Sequence, residues 1–252
     1  MLPDAFLTRP VAHRGLHNSA SGVPENSRAA VRAAIERGYG IEIDLQLTAD
    51  DQAVVFHDYE LDRLASVPGL VREEPLEALS HLRLLGSDQT VPSFVEVLSI
   101  VDGQVPLLVE LKDEDGALGD NVGPLERAVA QALTGYAGPV AVMSFNPHSV
   151  FALQSLAPDV PRGLVTSAFE PMFWDAPAER LEALARIEDF DRIGASFVSH
   201  SHRNLNAPAI ADLKARDVPI LCWTVRSEEE EAVARQIADN VTFEGYFPAT
   251  RA

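Results

Sequence analysis

The 252-residue chain has a single cysteine, Cys222, so no disulfide can form within it, and cysteine usage leaves the redox compartment open. Set in Ile220-Leu221-Cys222-Trp223, that thiol reads as buried and inert. No window approaches the ~18 consecutive apolar residues of a membrane span. The opening MLPDAFLTRP lacks the basic stretch and continuous apolar core of a signal peptide. A cytoplasmic protein without a stable membrane anchor is therefore expected. Positive charge is also scarce: 20 Lys+Arg, of which only Lys112 and Lys214 are lysines, stand against 38 Asp+Glu, for a formal net charge of −18. So acidic a body repels the phosphate backbone of nucleic acid at long range, which excludes a nucleic-acid-coating role, and it disfavours anionic membrane surfaces.

What is present is the composition of a globular protein, 46% hydrophobic and 23% charged. Apolar, β-branched runs alternate with segments of helical period to the end of the chain, with no low-complexity linker. Strands are predicted at Pro10–His13, Gly40–Leu47, Ala53–His57, Pro106–Leu111, Val140–Phe145, Arg162–Thr166, Ile193–Val198, Pro219–Val225 and Val241–Phe247. Helix starts are marked by capping-box spacing at Ser93–Glu96 and Ser227–Glu230 and by Asn146-Pro147, and Gly38 marks a helix end. Nine strands are one too many for an eight-stranded barrel. The second and third are separated only by the polar Thr48–Gln52, which suits an antiparallel hairpin and cannot hold a crossover helix. Eight parallel strands with helical connections remain, the (β/α)8 TIM-barrel pattern of the α/β class, as one unit over residues 1–252. Residues 58–90, with an amphipathic Leu76–Leu85, read as a small insertion after the second-strand hairpin, at the catalytic end. A doubly wound open sheet is the alternative.

In the second strand Glu42 and Asp44 are two apart and share a face. Two carboxylates side by side in a barrel interior require protonation, a partner cation or a metal, and a hard divalent cation is the natural partner for oxygen ligands. Glu110 and Lys112 repeat the spacing at the end of an otherwise apolar run, where a strand buried on both faces is expected to stay apolar. His13-Arg14-Gly15 follows the first strand and His57-Asp58 the hairpin strand, so both histidines reach the same mouth. Two histidines can divide the acid and base roles of a proton-transfer reaction.

Together, His13-Arg14-Gly15, Pro24-Glu25-Asn26-Ser27, Glu42-Ile43-Asp44, Thr48-Ala49-Asp50, His57-Asp58, Val91-Pro92-Ser93-Phe94 and Glu110-Leu111-Lys112 resemble the glycerophosphodiester phosphodiesterase family, over nearly the whole chain and most closely over residues 11–58. The resemblance implies a (β/α)8 barrel that hydrolyses a small-molecule glycerophosphodiester to sn-glycerol 3-phosphate and an alcohol. It implies one divalent cation, Mg²⁺ or Ca²⁺ with Mn²⁺ also compatible, held by Glu42, Asp44 and Glu110. His13 and His57 would be general acid and base, Arg14 and Lys112 would contact the phosphate, and Trp223 would wall the glycerol pocket. Glu25 is either a further metal or glycerol-hydroxyl contact or a cap for the helix near Ser27.

Two departures from the family pattern, Glu244-Gly245-Tyr246-Phe247-Pro248 after the last strand and Arg226 after Trp223-Thr224-Val225, bear on the pocket rim rather than the core chemistry. Arg226 pairs either with a second anionic group or with the Glu228–Glu231 run. The apolar loop Phe169–Trp174 closes over substrate, accepts a lysophospholipid chain or packs on neighbouring loops. His200 and His202 face the mouth or lie in solvated loop. A non-catalytic phosphodiester-binding barrel and a lysophospholipase D or phospholipase-type phosphodiesterase are the competing functions, and the oligomeric state has no signature.

Overall fold

The computed structural model describes residues 1–250. In chain order it comprises α1 (Ala5–Thr8), β1 (Val11–Ala12), α2 (Arg28–Arg37), β2 (Gly40–Leu47), β3 (Ala53–Val55), α3 (Asp62–Ala65), α4 (Leu76–His81), α5 (Phe94–Val101), β4 (Leu107–Leu111) and α6 (Pro124–Leu133). There follow β5 (Val140–Ser144), α7 (Pro147–Leu156), β6 (Arg162–Thr166), α8 (Ala178–Ala185), β7 (Phe197–Ser201), α9 (Pro208–Ala215), β8 (Ile220–Val225), α10 (Glu228–Ala234) and β9 (Asn240–Phe243). Among the described residues no helix is long and apolar enough to cross a membrane.

The sheet runs β1-β9-β8-β7-β6-β5-β4-β2-β3, and β1 also pairs with β2, so eight parallel strands close on themselves. This is the predicted (β/α)8 barrel. β3 lies outside the closed set, antiparallel to β2 through Leu45–Val55 and Leu47–Ala53, as the short turn after β2 requires.

Period-two alternation sorts each strand between two cores. Ile41, Ile43 and Leu45 of β2 and Leu107, Val109 and Leu111 of β4 face the helix layer. Leu108, Ala141, Met143, Val165, Phe197 and Leu221 fill the barrel interior, packed against Leu2 and, from α1, Phe6. Each fully buried side chain of this kind contributes about 1.5–3 kcal/mol of transfer free energy. Gly163 belongs to the same fit, because a Cβ there would stand 2.6 Å from the Phe197 ring. Above this apolar floor the inward positions become polar, with Glu42, Asp44, Glu110 and Ser199 all buried.

Local signals set the helices that aim the loops. Ser27 accepts from the Ala30 amide at 3.1 Å to start α2, and Gly38, at φ 72°, ends it. Ser93 and Glu96 form a complete capping box on α5, and Asn146 accepts from the His148 amide ahead of α7. At α10 only half of the expected box forms. Ser227 caps Glu230, but the Glu230 carboxylate accepts instead from the Arg226 amide at 2.7 Å. The segment after β3 has its own small core, with Phe56, Leu61, Val71, Leu79 and Leu84 buried, and α4 covers only the first part of the predicted Leu76–Leu85 helix.

β1 and β3 are each two residues shorter than expected, and the largest differences in strand boundaries are at β7 and β9. The predicted Ile193–Val198 is β7 at Phe197–Ser201, because residues before it close turns, with Ile193 donating to Asp189 and Gly194 (φ 61°) donating to Asp191. The ladder resumes where the Ser196 amide donates to the Arg162 carbonyl. The last strand stops at Phe243, since Gly245 at φ 82° turns the chain away.

Candidate active site

The strand ends and the loops after them bring the expected residues to one place. His13, Arg14, Glu42, Asp44, His57, Glu110, Lys112 and Trp223 line a single cavity of about 300 Å³ at the C-terminal mouth of the barrel. The turn after β1 is tight. Arg14 has φ 55° and Gly15 φ 77°, and a Cβ on Gly15 would meet Ala30 of α2 at 2.8 Å, so only glycine lets the turn lie against the helix. That turn directs the Arg14 amide onto Glu42 Oε2 at 2.8 Å.

The three carboxylates form the floor of the site. Glu42, Asp44 and Glu110 each offer an oxygen within 4.8 Å of the others, and all three are buried. Lys112 Nζ bridges two of them, 2.7 Å from Asp44 Oδ1 and 2.5 Å from Glu110 Oε1. Asp44 also accepts from Asn26 Nδ2 at 2.8 Å and lies 3.5 Å from Arg14 Nε. Burial opposes ionisation of Asp44, but the charges of Lys112, His57 and Arg14 outweigh it and hold the carboxyl far below its ordinary range. Glu42 is the opposite case. Burial, then the charges of Asp44 and Glu110, push it well above its ordinary value, with only the Arg14 amide and Lys112 acting against them. Oxygen-only donors, buried and close together, with no cationic side chain bonded to Glu42, suit a hard divalent cation. Glu42, Asp44 and Glu110 are the residues that would hold it.

Each histidine is gripped at Nδ1 by a carboxylate. His13 Nδ1–H donates to Glu244 Oε2 at 2.9 Å, and His57 Nδ1–H donates to Asp58 Oδ1 at 2.6 Å. In both rings this turns Nε2 away from its carboxylate partner. Burial lowers the His13 pKa, and the hydrogen bond to Glu244 offsets it only in part, whereas Glu244 is held at about 2, chiefly by that same bond. The pair at neutral pH is thus a neutral imidazole donating to a carboxylate.

Glu25 lies behind Arg14 rather than on the cavity wall. It accepts from Arg14 Nη1 at 2.6 Å and from Arg63 Nη1 and Nη2 at 2.9 and 2.8 Å, while the cap of α2 is Ser27. Trp223 Nε1–H donates to the Ser199 carbonyl at 3.0 Å, and its ring stands edge-on to Phe145. Arg14 Nε, Ser199 Oγ and Thr242 Oγ1 are buried without hydrogen-bond partners on residues that line the cavity.

Sequence reasoning missed four partners: Asn26, Arg63, Asp58 and Glu244. Arg63, from α3, binds both Asp58 and Glu25 and so ties the inserted segment to the mouth. The Glu244 departure, read as a rim feature, holds His13, and the Arg226 departure reaches Glu244 at 3.2 Å rather than pairing its side chain with Glu228–Glu231. His200 is neither at the mouth nor in solvated loop. It lies in β7 and points away from the barrel interior, fully buried, receiving the Thr166 hydroxyl at Nδ1 (2.7 Å) and donating from Nε2 to the Asn204 carbonyl (3.1 Å). His202 does line the cavity. In the loop after β6, Phe169 and Trp174 pack on Phe145 and on each other. Phe173 and Trp174 line a second cavity of about 480 Å³ that shares His57, Glu110, Lys112 and Phe145 with the first.

A closed parallel barrel carries at its mouth a cluster of three buried carboxylates and two carboxylate-held histidines, the arrangement of a barrel hydrolase. Residues 13–242 match the glycerophosphoryl diester phosphodiesterase family, and the chain belongs to that family. The Bacillus subtilis (strain 168) protein YhdW is 31% identical over 233 residues, covering 88% of each chain. A glycerophosphodiester phosphodiesterase of Caldanaerobacter subterraneus subsp. tengcongensis is 28% identical over 247 residues, covering 93% of each. An Oleispira antarctica phosphodiesterase, solved in complex with the product sn-glycerol-3-phosphate, superposes with a TM-score of 0.78 at 25% identity, covering 95% of this chain and 94% of that one.

Proposed function

We propose that the chain, acting as one catalytic unit over residues 1–252 with 58–90 bracing the mouth, hydrolyses glycerophosphodiesters to sn-glycerol 3-phosphate and an alcohol with a divalent cation and histidine proton transfer. The observation that carries this reading is Glu42: a fully buried carboxylate beside two others, without a cationic side chain bonded to it, in the same cavity as two oriented imidazoles. A divalent cation at Glu42, Asp44 and Glu110 would supply Lewis-acid stabilisation of the charge that builds on the phosphoryl oxygens.

The side chains do the rest. Arg14 and Lys112, which both line the cavity, add positive charge where that negative charge develops. Neutral His13, its Nδ1–H fixed on Glu244, accepts the nucleophile's proton at Nε2. His57, fixed on Asp58, donates to the leaving alkoxide. Trp223 would wall the glycerol pocket, with Ser199 and Thr242 beside it in the cavity lining. The leaving alcohol is directed into the second cavity, between Tyr59, Phe173 and Trp174, which adjoins His57.

The test is turnover of a panel of glycerophosphodiesters and lysophospholipids with Mg²⁺, Ca²⁺ or Mn²⁺, followed by phosphorus NMR. sn-Glycerol 3-phosphate should appear, EDTA should abolish its formation, and Glu42→Ala or Glu110→Ala should do the same in a folded chain. A cyclic phosphate among the products would identify a substrate hydroxyl as nucleophile, whereas its absence throughout the time course would identify water. Undiminished turnover after complete metal removal would refute the cation, and tight binding without turnover would favour a binding barrel.

A further inference from the structure

Next to the carboxylate floor is a second set of ligand-bearing side chains, one of which the proposed reaction leaves idle. His17, just beyond the Gly15 turn, is half-buried, and only its backbone takes part in hydrogen bonding. A ring nitrogen of His17, one of His13 and an oxygen of Glu244 all lie within 4.8 Å of one another. We propose that His13, His17 and Glu244 form a binding site for a borderline-soft divalent metal of the Zn²⁺ type, separate from the hard-cation centre, and that its occupation inhibits the enzyme.

Donor chemistry separates the two centres. Two imidazoles and one carboxylate are a set that zinc accepts with a fourth position left open, and imidazole favours Zn²⁺ and its neighbours in the first row over Mg²⁺ and Ca²⁺. The Glu42, Asp44 and Glu110 centre offers only oxygen and has the opposite preference. Glu244 has an oxygen to spare, because His13 and Arg226 both bond to Oε2. Arg226 and Arg14 place positive charge nearby and weaken the site, which suits reversible inhibition better than permanent occupancy.

The inhibitory effect follows from proton accounting and rests on His13 being the proton acceptor. A metal bound at His13 Nδ1 displaces the ring's single proton from its hydrogen bond to Glu244. In the neutral ring that proton passes through solvent to Nε2, so none is lost overall. Nε2 then has no lone pair with which to accept a proton from the nucleophile.

The experiment titrates Zn²⁺ into the chain at saturating Mg²⁺, following binding by calorimetry and initial rates in parallel, with Co²⁺ visible absorption as a probe of four-coordinate geometry. His17→Gln and His17→Ala are compared with wild type, with folding checked by circular dichroism. Wild type should bind one Zn²⁺ and lose turnover mainly in kcat. Both variants should keep basal activity. Removing even an outer partner of a metal site costs about 10–100-fold in affinity, so loss of a ligand should raise both the Zn²⁺ Kd and the inhibitory concentration at least about tenfold. Absence of Zn²⁺ binding, or equal Zn²⁺ affinity and inhibition in wild type and the His17 variants, overturns the site. Binding that depends on His17 but leaves turnover intact overturns the inhibitory half, and with it the assignment of His13 as base.

Discussion

Replacing Asn26 by alanine tests how the carboxylate floor is held in place. Asn26 is buried, donates from Nδ2 to Asp44 Oδ2 at 2.8 Å, and accepts the Asp44 amide at Oδ1 at 3.3 Å. A hydrogen bond to a charged group contributes about 1.5–3 kcal/mol and a neutral one about 0.5–1.5 kcal/mol. Asn26 also sits at φ 54°, where alanine costs roughly 1 kcal/mol more than asparagine does. Asp44 keeps Lys112 and is not left as a bare buried charge, so the expected loss is about 3–5 kcal/mol rather than more. For a domain of this size that corresponds to a Tm lower by roughly 6–20 °C. Thermal unfolding in chelator, where no cation contributes, reads this directly. Asn26→Gly removes the same two hydrogen bonds without the backbone penalty, so it should be about 1 kcal/mol more stable than the alanine variant. With cation present, the half-saturating metal concentration should rise about 10–100-fold, as for other partners of metal-binding carboxylates. An alanine variant within about 1 kcal/mol of wild type, or with unchanged metal dependence, would refute the view that Asn26 orders Asp44.

Three further outcomes follow from the same geometry. Glu244→Gln retains an acceptor for His13 Nδ1–H but loses the charge that raises the His13 pKa. The acid limb of kcat/KM, already below the ordinary histidine value of about 6.5, should move to still lower pH as kcat falls. An upward shift would refute the assignment of His13 as base. His200 is buried with its pKa lowered to about 4 by burial, so between pH 6.5 and 4 the unfolded chain binds the extra proton and stability falls as pH falls. The full difference is about 3 kcal/mol, present above pH 6.5 and lost by pH 4. Denaturation midpoints of wild type and His200→Gln should therefore converge in that window, and parallel profiles would count against it. Finally, a chain of net charge −18 repels an anionic substrate at long range, so kcat/KM should rise between about 0.01 and 0.1 M salt, as the screening length shortens from about 30 to about 10 Å. A fall would mean that local positive charge at the mouth dominates capture.

The barrel and the centre of the site were legible because they violate local expectation. Glu42, Asp44, Glu110 and Lys112 interrupt strands that burial would keep apolar, and their spacing of two fixes the face they share. The caps at Ser27 and Ser93 and the hairpin after Leu47 were legible because their chemistry is confined to a few adjacent residues. The orienting partners were not. Glu244 is 231 residues from His13, and Arg63 is 38 from Glu25, so nothing local marks either pairing. Asn26 carried a faint signal, a turn asparagine of the kind that tolerates positive φ. The β7 boundary was misplaced because Phe190 and Ile193 are apolar for a different reason, since they pack from a turn into the outer core. That shift carried His200 from an apparent loop into the strand, where alternation puts it opposite in direction to Ser199 and Ser201 of the cavity wall.

Six of the 38 acidic residues, Glu25, Glu42, Asp44, Asp58, Glu110 and Glu244, make up the polar machinery of the mouth, and five of them bind a cationic side chain. Arg63, Glu25, Arg14, Asp44, Lys112 and Glu110 form one chain of alternating charge, each member in contact with the next. Such a chain fixes side chains that would otherwise be mobile, and it holds Arg14 and Lys112 at the cavity with their charge already partly balanced. Of the three floor carboxylates, Glu42 alone stands outside the alternation, bonded only to a backbone amide. Charge balance therefore singles out one carboxylate. A cation that bound at Asp44 and Glu110 alone would compete with Lys112 for oxygens already satisfied, whereas one that also engages Glu42 gains an oxygen that no side chain of the protein neutralises. On the proposed function, that single unbalanced position is the one a bound cation would neutralise.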